Sequence, residues 1–130
     1  MMEQPKATDG KFKKEFGDGG ELMAESYLMK KGYRLLARKY RTYWGEIDLV
    51  MEDGRHLVFV EVKRRSNLRY GEPEESILPM KISHMCRAAL QFVQNMGTGG
   101  RMMRFDVVCI SGDDIRHYPN AFESTGEYWF

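Results

Sequence analysis

Asp48, Glu61 and Lys63 are the residues of this chain whose types and spacing best suit chemistry. Glu61 and Lys63 stand two apart in LVFVEVK, Leu57 to Lys63, so in an extended strand they share one face. Leu57 to Val60 are all apolar, which implies a central strand covered on both sides with two charges at its end. Leaving such charges unpaired costs on the order of several kcal/mol, so they need partners. Asp48, in GEIDLVM on the preceding strand, can come alongside across a hairpin. Adjacent carboxylates repel, and a divalent cation removes the repulsion while using their oxygens as ligands. With no thiolate or imidazole at ligand spacing, this donor set suits Mg²⁺, or Mn²⁺, rather than zinc. Lys63 would then orient or deprotonate a water, or neutralise charge developing on a phosphate. On spacing alone, Glu61 and Lys63 could instead pair with each other or with other charges of the sheet.

The elements that must position these side chains follow from pattern. Residues 1–16 are polar and aperiodic and read as a loose tail, separated by Gly17, Gly19 and Gly20 from one domain over 17–130. Asp18 is a candidate N-cap for a helix over Glu21 to Lys31, in which Ala24, Tyr27 and Leu28 recur at helical spacing and Gly32 is a stop. Strands are expected at Tyr33 to Arg41, Glu46 to Met51 and Leu57 to Lys63, the last two joined by a turn holding Asp53 and Gly54. Pro79 opens a second helix with an apolar stripe of Ile82, Met85, Ala89, Phe92 and Met96, whose methionines read as core. FDVVCI, Phe105 to Ile110, reads as a buried strand, and Ile115 to Tyr118 as a short final one. Helix, three strands, helix, two strands implies an α/β fold with a mixed five-stranded sheet.

The 130 residues fit one domain, and 42% hydrophobic residues suit a folded chain. No apolar run reaches the roughly 20 residues of a membrane span, nor does the N-terminus resemble a signal peptide, so a cytoplasmic protein with no membrane partner is expected. Cys86 and Cys109 lack metal-site spacing and read as reduced packing residues, and His56, His84 and His117 as surface or packing residues. The net charge is only +1, but charge is segregated. Ser26 to Gly45 carries six basic residues and no acid, and Lys63, Arg64, Arg65 and Arg69 form a second group. Arg34, Arg38, Lys39 and Arg41 entering the site, with Arg64, Arg65 and Arg69 leaving it, would make a phosphate-binding rim; two balanced solvated faces are the bland alternative. Tyr40, Tyr43 and Trp44 among these residues could stack on bases, although aromatics beside a strand are usually packing.

An Asp, then Glu-x-Lys across a hairpin, resembles the signature of the PD-(D/E)xK nuclease superfamily. More closely, GGELMAESYLMKKGYRLLARKYRTYWGEIDLVM, LVFVEVKRR, RFDVV and Asn120-Ala121-Phe122 resemble the YraN-type family of small endonuclease-like proteins. The resemblance implies a restriction-endonuclease-like core similar to that of archaeal Holliday-junction resolvases. It matches Asp48 and Glu61 to metal-binding acids, Lys63 to the catalytic lysine and Glu21 to an additional metal-binding acid, with Glu46 in the same motif. Where the family often has Pro-Arg-Lys-Gln, this chain has Pro79, Met80, Lys81 and Ile82, which retains Lys81 as a phosphate contact near a helix N-terminus. The implied function is a metal-dependent nuclease acting on nucleic acid, DNA rather than RNA, with structured or branched DNA as substrate. Resolvase relatives being dimers, the resemblance leaves a homodimer open. The alternative is a nucleic-acid-binding or partner-docking module on the same fold without turnover.

Overall fold

The computed structural model describes residues 11–64, 79–97 and 101–122. Helix α1 (Lys11–Lys30) precedes β1 (Arg34–Thr42), β2 (Gly45–Asp53) and β3 (His56–Arg64); helix α2 (Pro79–Met96) then leads to β4 (Met102–Ser111) and β5 (Asp114–Phe122). The strands form a five-stranded sheet in the order β1-β2-β3-β4-β5. Neighbours are antiparallel except β3 and β4, which run parallel because the connection through α2 returns the chain to the same end of the sheet. This is the expected mixed α/β architecture, consistent with a restriction-endonuclease-like core.

The apolar run of β3 explains the layering. Leu57 and Phe59 pack with Met85, Ala89 and Phe92 of α2, while Val58 and Val60 pack with Ala24 and Leu28 of α1. All four β3 residues are fully buried, as a central strand between two helical layers requires. Gly54 closes the β2–β3 hairpin at φ 62, a left-handed conformation for which glycine carries no Cβ penalty. Cys86 and Cys109 are free and buried. Among the described residues no helix is long and apolar enough to cross a membrane.

Three expectations need correction. Helix α1 begins at Lys11, inside the stretch read as a tail, and runs through Gly17 to Gly20, so Asp18 is not its N-cap. Gly20 is a packing position rather than a breaker: a Cβ there would lie 2.9 Å from Cδ of Arg64, so any other residue would force that side chain to shift where it crosses the helix. Met96 is 58% exposed despite its place in the stripe, because the last turn of α2 extends past the core. Met80, in the first turn, is exposed as well, which leaves Met85 as the core methionine of this helix.

Candidate metal centre

A local break in the sheet places Asp48. Arg38 pairs with Leu49 and Tyr40 with Ile47, while Lys39, opposite Asp48, has φ 49 in the left-handed region. Side-chain alternation breaks with it: Ile47 packs on the α2 side and Leu49 on the α1 side, although two residues apart they would share a face in a regular strand. Regular β2–β3 pairing begins at Leu49 with Val60. Beyond that point the Asp48 carboxylate takes the place of a ladder carbonyl, its Oδ2 accepting from the Val62 N–H at 2.8 Å.

Four acids meet at this gap. Carboxylate oxygens of Glu21, on α1, and of Glu46 and Asp48, on β2, all lie within 4.8 Å of one another, close enough to share a cation. Glu61 is 8% exposed and its charge acts on Asp48. Burial, then the charges of Glu61 and Glu21, push the Asp48 carboxyl up to about 7, against the stabilising Val62 N–H and Lys81. The structure thus brings Glu46, whose role the sequence left open, into the same donor set as Glu21 and Asp48. These oxygen-only donors fit a hard divalent cation.

The basic residues are distributed differently from a continuous rim. Lys39 Nζ lies 3.1 Å from Glu21 and 3.8 Å from Glu46, Arg41 lies 3.5 Å from Glu46, and Lys81 lies 3.6 Å from Glu61. Arg38 donates twice to the buried Glu25, at 2.7 and 2.9 Å, which ties β1 to α1. Arg34 pairs with Glu52, four positions along β2 from Asp48, so it is set apart from the acids. Arg64 crosses Gly20, and Lys63, half-buried, follows Glu61 by two residues on the α2 side of β3. Arg65 and Arg69 lie outside the described residues.

The profile of the uncharacterised protein family UPF0102 matches residues 20–110. The chain belongs to that family. A UPF0102 protein of Syntrophomonas wolfei is 42% identical over 113 residues, covering 84% of this chain and 98% of the relative. One from Caldicellulosiruptor saccharolyticus is 44% identical over 116 residues, covering 85% and 98%. One from Anaeromyxobacter dehalogenans is 38% identical over 122 residues, covering 91% of each. UPF0102 is a PD-(D/E)xK nuclease-like group.

In this UPF0102 chain the RFDVV and Asn120-Ala121-Phe122 segments meet at a second buried carboxylate, Asp106, which reasoning from charge patterns missed. Asp106 accepts from Arg104 Nε at 3.0 Å, Tyr33 Oη at 3.1 Å, His117 Nε2 at 2.7 Å and the Asn120 N–H at 3.0 Å. A register shift opposite Asp106 and φ 53 at Asn120, a residue type that tolerates this conformation, turn that N–H inward. Lys31 Nζ lies 3.0 Å from His117 Nδ1, on the side of the ring away from Asp106. The available signal was an aspartate inside an otherwise apolar strand, which has to be paired.

Proposed function

We propose that this chain is a metal-dependent nuclease that hydrolyses phosphodiester bonds in nucleic acid, with structured or branched DNA as its substrate. The observation that carries this reading is the convergence of Glu21, Glu46 and Asp48 within 4.8 Å beside the buried Glu61, at a break in the sheet that the fold maintains despite the repulsion. Glu21, Glu46, Asp48 and Glu61 would hold Mg²⁺, or Mn²⁺ in its place. The bound ion supplies a Lewis acid and a more acidic water. Lys63, on the Glu61 face of β3, supplies an ammonium to orient that water or to balance charge on the phosphate. Arg41 and Lys81, each beside an acid of the centre and exposed, supply phosphate contacts at its edge.

Asp48→Asn or Glu61→Gln is expected to abolish Mg²⁺-dependent cleavage of a panel of linear, flapped and branched DNAs and to lower Mg²⁺ affinity by titration calorimetry. Lys63→Met is expected to keep the affinity and lose cleavage. Unchanged Mg²⁺ affinity in both acid variants would overturn the assignment. A nucleic-acid-binding module without turnover is the second reading, favoured by the ammonium groups of Lys39 and Lys81 already standing against three of the four acids. It requires DNA binding in Ca²⁺ with no cleavage of any substrate in Mg²⁺.

A further inference from the structure

Beside the acids, between the β1–β2 turn and α2, lies a cavity of about 250 Å³ lined by Trp44, Glu46, Lys81, His84 and Met85 among others. It is smaller than the roughly 300–1,000 Å³ of sites for drug-sized ligands, and its scale is that of a single ring system. Two of its lining residues reach the candidate metal centre: Glu46 is one of the converging acids and Lys81 pairs with Glu61.

The two aromatic residues at this turn differ: Trp44 is partly buried against the α2-side core, whereas Tyr43 stands outside it. Tyr40, four residues earlier, packs edge-on against Phe92 with ring centres 5.0 Å apart and, like Trp44, is partly buried against that core. Tyr43 is 87% exposed and stands perpendicular to Trp44, with ring centres 5.0 Å apart. The Arg87 guanidinium lies 4.6 Å from the Trp44 ring centre, so a planar group already rests on that ring, and His84 stands 6.0 Å away at 39°. The turn is held firmly: Thr42 Oγ1 accepts from the Trp44 N–H at 2.9 Å and donates to the Gly45 carbonyl at 2.8 Å. A rigid tip that presents a tyrosine and a tryptophan among cations, next to a phosphodiesterase-like acid centre, has the composition of a stacking platform for bases.

We propose that the Tyr43–Trp44 tip and this cavity form a subsite for one unpaired nucleobase, whose own phosphate then faces the acids across Glu46 and Lys81. This deepens the nuclease reading and rests on it. Bases inside a duplex have both faces covered, so the subsite selects nucleic acid with a nucleotide out of the stack at the scissile position: a flap, a gap or a single strand.

Trp44 and Trp129 are the two tryptophans, so the full chain carrying Trp129→Phe reports on Trp44 alone. With Ca²⁺ in place of Mg²⁺, it is titrated with a single strand of about twelve nucleotides, within the usual footprint of single-strand binders, and with an abasic strand of equal length and charge. The base-bearing strand is expected to quench Trp44 and to bind about tenfold more tightly than the abasic one. Tyr43→Ala and Trp44→Ala are each expected to erase that difference while leaving abasic binding unchanged; Tyr43 is so exposed that its variant tests the idea even if Trp44→Ala folds poorly. Equal affinity for the two strands, with no quenching, overturns the subsite; if Mg²⁺-dependent cleavage persists, the nuclease reading survives it. Absence of both binding and cleavage overturns the two together.

Discussion

Asp48 and Asp106 are both carboxylates inside the same sheet, and their surroundings are opposite. Asp106 is fully buried, and burial alone would raise its pKa; hydrogen bonds from His117, Arg104 and the Asn120 N–H outweigh that effect and hold it below the ordinary range. Asp48 accepts one backbone N–H and otherwise faces Glu61 and Glu21, so burial and like charge push it up to about 7. A carboxylate surrounded by donors holds strands together. One crowded by other acids is repelled by them when ionised, and this is the arrangement a cation would relieve. The difference lies in the partners rather than in depth, since the better paired of the two is the more deeply buried.

The comparison predicts opposite signs for equivalent mutations, and the larger effect belongs to Asp106. Asp106→Ala strands the Arg104 guanidinium, the Tyr33 hydroxyl, the His117 ring and the Asn120 N–H together. It is expected to destabilise the fold by about 3–5 kcal/mol, the range for breaking a buried charge pair. Chemical denaturation at pH 8 checks this, and a loss below about 1 kcal/mol would show that the network is not structural.

Asp48→Asn is expected to act the other way. The amide oxygen still accepts from Val62, while the repulsion with Glu61 and Glu21 is lost. Because the folded state holds the Asp48 proton up to about pH 7 and the unfolded chain releases it near pH 4, metal-free wild type should lose stability as pH rises through that window. With allowance for solvent at the gap, the drop attributable to Asp48 is about 1–3 kcal/mol. The Asn variant should lack that slope, and above pH 7 it should be the more stable protein without metal. Mg²⁺ should restore stability to the wild type and not to the variant. Parallel stability profiles for the two proteins between pH 4 and 8 would contradict the assigned repulsion.

Much of this was legible in the sequence, for a physical reason. Apolar runs, an Asp-Gly turn and charges beside an apolar run are local features; they located β2 and β3 and singled out Asp48, Glu61 and Lys63 as candidates. What escaped depends on distant contacts. Gly20 reads as a helix breaker until Arg64, 44 positions later, is seen to need its missing side chain. Arg38 reads as a phosphate ligand until α1 brings Glu25 against it. His117 and Tyr33 look unrelated until the β4–β5 register carries His117, and the segment between α1 and β1 carries Tyr33, to Asp106. Glu46 and Lys39 joined the acid centre through a break in alternation that no period predicts.

Lys39 gives the smallest predicted effect and the finest test of the contrast. A lysine at φ 49 adopts a backbone conformation disfavoured by about 1 kcal/mol for side chains with a Cβ, and such positions persist where surrounding structure enforces them. Its ammonium is the cation that Glu21 and Glu46 share in this structure, so it competes with a metal ion for their oxygens. Lys39→Gln removes the charge and leaves the backbone cost in place. Mg²⁺ affinity is then expected to rise about two- to tenfold, the scale of one partly exposed ionic contact near 1 kcal/mol. Metal-free stability should fall slightly above pH 7, where the unshielded acids repel more. Lys39→Gly removes the same charge and relieves the backbone, so it should show the same gain in affinity without that loss of stability. Titration calorimetry of both variants decides the matter: if Lys39→Gln binds Mg²⁺ more weakly than wild type, Lys39 supports the metal-bound centre instead of competing with the ion for Glu21 and Glu46.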